Sequence, residues 1–338
     1  MATPVSLLVV NYRSAALARD AIRSARATTR SPLQVVVVDN SDEADALRSA
    51  ADVVISSGRN AGYAAAINRG RRACNGEVIV AANPDVIFAD GAIDALVAAN
   101  AAVAGPALFW DDAHEWLLPP ADLHDDMLER ALATRFRFVA RRRDRRRTRA
   151  RIAFWSLTET TPVRALSGAV LAIRATAFDD AGGFDERFPL YFEENDFLRR
   201  VRGDIVYVPA ARVRHIYNQS AGASPEAAAM YAQSEAEYLR KWGGTWAKRL
   251  ELGAPASSPA GPAPSRRWRR DAARPAVETT ALLVEASPLP DFETAAGHFP
   301  KTWPVTLPEE VVATYRSPAL HLRIVDRRTG NVLAKIEA

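Results

Sequence analysis

The stretches VSLLVVNY at residues 5–12 and VVVVDN at residues 35–40 decide the fold. Each is a short, largely β-branched apolar run that stops at a polar residue, Asn11 or Asp39. That is the pattern of a strand covered on both faces and ending in a loop. Between them, Ala15 to Ala27 carries alanines, Ile22 and arginines and predicts a helix. Val53 to Ile55 and Val78 to Ala82 repeat the pattern around a second predicted helix, Ala61 to Ala73. Strands alternating with crossover helices predict a doubly wound α/β fold with a mostly parallel sheet. Such sheets bind ligands beyond the carboxyl ends of their strands. The residues to inspect first are therefore Asn11-Tyr12, Asp39-Asn40, Gly58-Arg59-Asn60 and Asn83-Pro84-Asp85.

Further along, the regularity fades after Val103, and the stretch up to Ala165 is expected to leave the sheet. Order returns at Leu166 to Ile173, followed by Gly182-Gly183, an acidic segment from Glu193 to Asp196, a strand candidate at Ile205 to Val208 and a helical stretch from Pro225 to Trp242. This divides the chain into a domain over residues 1–250, a Pro/Ala/Arg-rich linker over 251–276 and a small β-rich module over 277–338. The strand candidates of that module are Thr279 to Val284, Leu320 to Val325 and Val332 to Ile336.

The 338 residues are 48% hydrophobic, enough to fill the core of a large domain. Cys74 is the single cysteine, which excludes an internal disulfide framework, and the first residues lack the succession of a signal peptide. A cytoplasmic setting is expected. No apolar run approaches the roughly 20 residues of a membrane-spanning helix, so a synthase that extrudes its polymer through its own channel is excluded. Arg135 to Arg151 holds ten arginines and one acid, Asp144. Two readings stand: contact with anionic lipid headgroups or a phosphate-bearing acceptor at the inner membrane face, and a solvated basic helix. No stacking pattern or recognised motif accompanies the run, so nucleic acid is not an expected partner.

The ordered set Val9 to Ser14, Val36 to Ser41, Asn60 to Ala64 with Asn68 and Gly70, Asn83-Pro84-Asp85, Leu166 to Ala169, Gly182 to Glu186, Phe192 to Asp196, and Pro209 followed by His215 resembles the family 2 glycosyltransferases, particularly the rhamnosyltransferase-like branch. It covers roughly residues 4 to 245. The resemblance implies a GT-A fold and an inverting, non-processive transfer of sugar from a nucleotide diphosphate to an acceptor hydroxyl, in cell-surface polysaccharide or glycan assembly. The acceptor would be a glycan or a lipid-linked sugar. It also implies that Asn11, Tyr12, Arg13 and Asp39 hold the nucleotide, and that Asp85 and His215 hold Mg²⁺ or Mn²⁺ against the diphosphate. Asn83, where many GT-A enzymes carry an aspartate, would orient the donor or a metal-bound water. Gly168 and Asp185 would line the donor or acceptor. Asn60 and Gly62 open the second helix, where free N–H groups suit an anion; capping and donor binding are not separable there, and Asn68 is equally ambiguous.

An inverting transfer needs a carboxylate base for the acceptor proton. Asp185, Glu193, Glu194 and Asp196 are the candidates. In a helix starting near Glu193, Glu194 shares a face with Leu198 and Val201, whereas Asp196 shares one with Arg199 and Arg200. Glu194 is therefore the expected inward-pointing base, and Asp196 the expected partner of the arginines. The alternative is a non-catalytic sugar-nucleotide or glycan-binding protein of the same fold, which the neutral Asn83 and the glutamate at 194 leave open. A nucleotidyltransferase would want a Gly-rich basic loop near the N-terminus, and none is visible. The tail module is a candidate for acceptor delivery or homo-oligomerisation.

Overall fold

A computed structural model describes residues 3–216, 225–243, 277–315 and 320–337; the expected linker at 251–276 lies outside them. Strands β1 (Val5–Asn11), β2 (Leu33–Asp39), β3 (Val53–Ser56) and β4 (Val78–Ala82) run parallel in the order β3-β2-β1-β4. The chain winds outward to both sides of β1, which places the switch point at its carboxyl end. Alternation explains the unbroken apolar runs. Val5, Leu7 and Val9 of β1 join the core beneath helix α1 (Ala15–Thr28), while Leu8 and Val10 join the core on the opposite face. Val35 to Val38 of β2 divide in the same way.

After α2 (Ala44–Leu47), helix α3 (Tyr63–Arg71) covers the second face. It starts two residues later than expected because Gly62, at φ 86°, turns the chain before it, a conformation that L side chains resist. Asn60 accordingly caps no helix: its Oδ1 accepts from the Gly62 N–H at 3.1 Å.

The stretch after Val103 does not leave the sheet at once. Beyond β5 (Val86–Phe88) and α4 (Ala92–Ala98), β6 (Val103–Phe109) is a buried strand of the same sheet, followed by β7 (Trp116–Leu117). The excursion is a pair of helices, α5 (Met127–Arg135) and α6 (Arg137–Trp155), which ends before β8 (Thr161–Pro162). Strand β9 (Val170–Arg174) lies antiparallel between β4 and β6, and α7 (Ala175–Asp180) and α8 (Glu193–Arg200) follow. Strand β10 (Ile205–His215) does not stop at Pro209; a register shift between Val208 and Arg212 carries it on, so His215 is its last residue. Helix α9 (Pro225–Trp242) packs Tyr238 onto the rings of Phe188 and Phe192.

The tail forms β11 (Leu282–Ser287), β12 (Ala296–His298), β13 (His321–Asp326) and β14 (Val332–Glu337); Thr279–Ala281, expected as strand, is a 3₁₀ turn. Strand β12 pairs with β7, so these strands continue the same sheet. Helix α6 lies against them. Arg151, buried, reaches Glu285 at 3.3 Å; Arg323 reaches the same carboxylate at 2.6 Å, Asp144 at 2.9 Å and the Thr148 hydroxyl at 2.9 Å. None of the described helices is long and apolar enough to cross a membrane.

Candidate active site

Two groups of residues stand at the carboxyl ends of the parallel strands. The first joins β1 to β2. Asn11 and Asp39 are both wholly buried, and the Asn11 amide donates to Asp39 at 2.8 Å and to Glu43 at 3.1 Å, while its oxygen accepts from the Ser14 hydroxyl at 3.0 Å. Burial works against the Asp39 charge, but bonds from the Ser41 hydroxyl, Asn11 and the backbone of Ser41 and Glu43 hold its carboxyl below the usual range. These two side chains therefore brace the loop. What the loop presents is Tyr12, 42% exposed, and Arg13, whose backbone N–H is tied to the Ser41 hydroxyl and whose guanidinium lies 5.2 Å from the Tyr12 ring centroid. Asn40 ties this group to the next strand exit by donating to the Gly62 carbonyl at 3.0 Å.

The second group lies at the end of β4. Asp85 Oδ1 and His215 Nε2 are 3.3 Å apart, joined because β5 and the end of β10 pair side by side. The Asn83 N–H donates to the Ala169 carbonyl at 2.9 Å, and among the described residues its side chain has no hydrogen-bond partner. Glu193 and Glu194 open α8 after two successive left-handed residues, Tyr191 and Phe192, each at φ 67°. Such conformations cost about 1–3 kcal/mol each and persist where packing overrides them. Here Phe192 is held by the rings of His124, Tyr231 and Tyr238.

Burial raises the carboxyls of both glutamates, and the charge on Glu194 raises Glu193 further. One buried oxygen of each, Oε2, has no hydrogen-bond partner. Tyr63, at the start of α3, is the residue that the motif contained and sequence reasoning passed over. Burial and then the charges of Glu193, Glu194 and Asp85 push its hydroxyl up. Among the described residues, no three His, Cys, Asp or Glu side chains converge as a metal-binding group. A divalent ion at Asp85 and His215 would have only these two protein donors and would take its remaining positions from diphosphate oxygens and water, as is usual for Mg²⁺.

Several expectations shift. Glu193, 6% exposed, is more deeply buried than Glu194, because it shares its face with the buried Phe197. Asp196 pairs with Arg200 as expected but not with Arg199; its other oxygen takes Lys241 at 2.6 Å and the Trp242 indole at 2.9 Å. Arg199 turns instead to Tyr238, Asp125 and the Leu123 carbonyl. Asp185 is held low, first by Arg187 and then by Lys241. Lys241 thereby locks α9 onto α8, and both aspartates are spent on that lock. Asn68 is likewise committed: its amide donates to the Phe184 carbonyl and Glu186, and its oxygen accepts the Phe184 N–H.

Gly168 lies under Glu194. A Cβ there would stand 3.3 Å from the Glu194 Cβ and Cγ. Gly168→Ala is expected to shift Glu194 by a few tenths of an ångström and reduce turnover with little change in melting temperature. Parallel thermal and kinetic assays would check it.

The fold is of the GT-A type. Residues 6–102 match the family model described as Glycosyl transferase family 2. Two curated relatives, both named N-acetylglucosaminyl-diphospho-decaprenol L-rhamnosyltransferase, come from strains of Mycobacterium tuberculosis. Each is 28% identical over 243 residues, which is 62% of this chain and 75% of the relative. Among solved structures, GalNAc-T7 with UDP, GalNAc and Mn²⁺ superposes with a TM-score of 0.50 at 16% identity, over 75% of this chain. This chain spans about half of that protein, 52% of its length.

Proposed function

We propose that this chain is an inverting, non-processive, metal-dependent glycosyltransferase. It moves a sugar from a nucleotide diphosphate to the hydroxyl of a glycan or lipid-linked acceptor in cell-surface polysaccharide assembly. The observation that carries the reading is Asp85 set against His215 beyond the end of β4, together with Glu193 and Glu194 at the start of α8, each with a buried carboxyl oxygen that has no hydrogen-bond partner, in a chain whose residues 6–102 match the family 2 model. The printed name of the mycobacterial relatives supports a lipid-linked diphosphate sugar as acceptor class.

In this reading, Tyr12 and Arg13 meet the nucleotide diphosphate from a loop that Asn11 and Asp39 brace. Asn60 and Gly62 shape the neighbouring wall, and Asn83 orients the donor. Asp85 and His215 would hold Mg²⁺ or Mn²⁺, which when bound neutralises charge on the departing diphosphate. Glu194 accepts the proton of the acceptor hydroxyl as that oxygen attacks the anomeric carbon. The bond to the diphosphate breaks on the opposite side, so the configuration inverts. Holding these groups in place supplies most of the rate.

The test is release of nucleoside diphosphate from a panel of sugar donors with Mn²⁺. Asp85→Ala is expected to abolish release and also the Mn²⁺-dependent part of thermal stabilisation by nucleotide. That stabilisation reaches about 2.7 kcal/mol for the intact protein at a ligand concentration roughly 100-fold above Kd. Donor binding with no turnover on any acceptor would instead establish the non-catalytic binder.

A further inference from the structure

We propose that the corner between α5 and α6 is a docking surface for an anionic lipid bilayer. The ten arginines of the run divide cleanly. Arg143, Arg146, Arg147 and Arg151 are ion-paired with acids, and Arg149 donates to the Thr329 carbonyl. Arg135, Arg137, Arg141, Arg142 and Arg145 are exposed and have no acidic partner among the described residues. On α6, Arg137, Arg141 and Arg145 follow one another at successive turns, about 12 Å from first to last, with Arg142 beside them.

At the same corner stand three exposed large apolar side chains: Leu132, Phe136 and, 71% exposed, Phe138. The Phe136 and Phe138 rings are 6.0 Å apart. Phe138 lines an open hollow of about 940 Å³ along α6 with the unpaired Arg137, Arg141, Arg142 and Arg145 and with Arg146 and Arg149. Apolar tips beside a row of unpaired guanidinium groups match a bilayer interface, where rings enter the acyl boundary and arginines meet phosphates. Arginines and rings also meet nucleic acid, and duplex competition against vesicles separates the two.

The surface is also tied to the site. His124, just before α5, packs its ring 5.1 Å from Phe192 at the start of α8, and Arg199 of α8 binds Asp125. Docking there brings the helix that carries Glu194 to the lipid surface.

The proposal does not rest on sugar transfer, and its test uses no donor or acceptor. In vesicle flotation, the full chain is expected to bind phosphatidylcholine vesicles doped with phosphatidylglycerol, to ignore pure phosphatidylcholine, and to detach at high salt. Each arginine near an anionic surface is worth about fivefold, so Arg141→Gln/Arg145→Gln is expected to weaken partitioning roughly 30-fold. Phe138→Ser is expected to weaken it about tenfold through lost apolar burial. Unchanged circular dichroism and melting temperature would show that both variants fold. No binding by the intact chain, equal binding to neutral vesicles, or unchanged binding by the double variant would overturn the proposal. So would duplex RNA or DNA that strips the protein from the anionic vesicles at equal phosphate concentration.

Discussion

Glu194→Gln is expected to cut sugar transfer by roughly 100- to 10,000-fold, the range lost when a general base is removed, while leaving donor-dependent thermal stabilisation intact. Glutamine keeps the shape and the packing over Gly168 but cannot take a proton. The neighbouring Glu193→Gln is the control. Glu193 is the more deeply buried of the two, and burial and then the charge on Glu194 raise its carboxyl. Being less accessible to an acceptor hydroxyl, it should tolerate the amide with most activity retained.

The pH dependence has a definite sign. Burial raises the Glu194 carboxyl, so the base becomes competent only as pH climbs through that raised value. The acid limb of kcat/KM is expected above the ordinary carboxylate range. Linkage gives the companion effect on stability. A carboxyl that holds its proton more tightly when folded adds stability at low pH, and that contribution is lost as pH rises through the folded pKa. The ligand-free protein should therefore melt lower as pH rises across this window, and Glu193→Gln/Glu194→Gln should flatten that trend.

The second large effect is structural. Glu285 is wholly buried between Arg151 and Arg323, themselves 3% and 1% exposed. Glu285→Ala leaves the buried Arg151 without a carboxylate and Arg323 with Asp144 alone, and is expected to destabilise the protein by about 3–5 kcal/mol. The melting temperature should fall by on the order of 10 °C. Substituting all three residues together with leucine and methionine of similar volume should recover most of the loss, because an apolar replacement carries no stranded charge. If the single and triple variants melted alike, the network would owe its effect to packing alone. Hydrogen exchange should further show that Glu285→Ala releases α6 and β11 before the parallel strands.

Strands β1, β2 and β4 were legible in the sequence because burial on both faces writes a continuous apolar run. Strand β6 was not, since Gly105 and Pro106 interrupt its run; the glycine is there because a Cβ would stand 2.6 Å from Leu166. The length of β10 was hidden by Pro209, which the register shift absorbs. In the site, strand exits drew attention to Asn11, Asp39 and Asp85. Their local chemistry does not tell which of them face a ligand and which are spent on each other. Tyr63 acquires its setting only when α8 is brought beside α3. The arginine run is the extreme case: ten identical side chains differ in role only after the tail strands have claimed one side of α6.

The pairing of β7 with β12 has a further consequence. Leu117 lies opposite Gly297, so this seam joins segments 180 residues apart, about half the chain. Closing so long a loop is slow and comes late. While the protein is being made, its first strands can assemble, but the unfinished sheet keeps a raw border at β7 until the segment after residue 277 has been synthesised. Nascent chains are therefore expected to need shielding at that border, and the tail acts as the clasp that ends the vulnerable period.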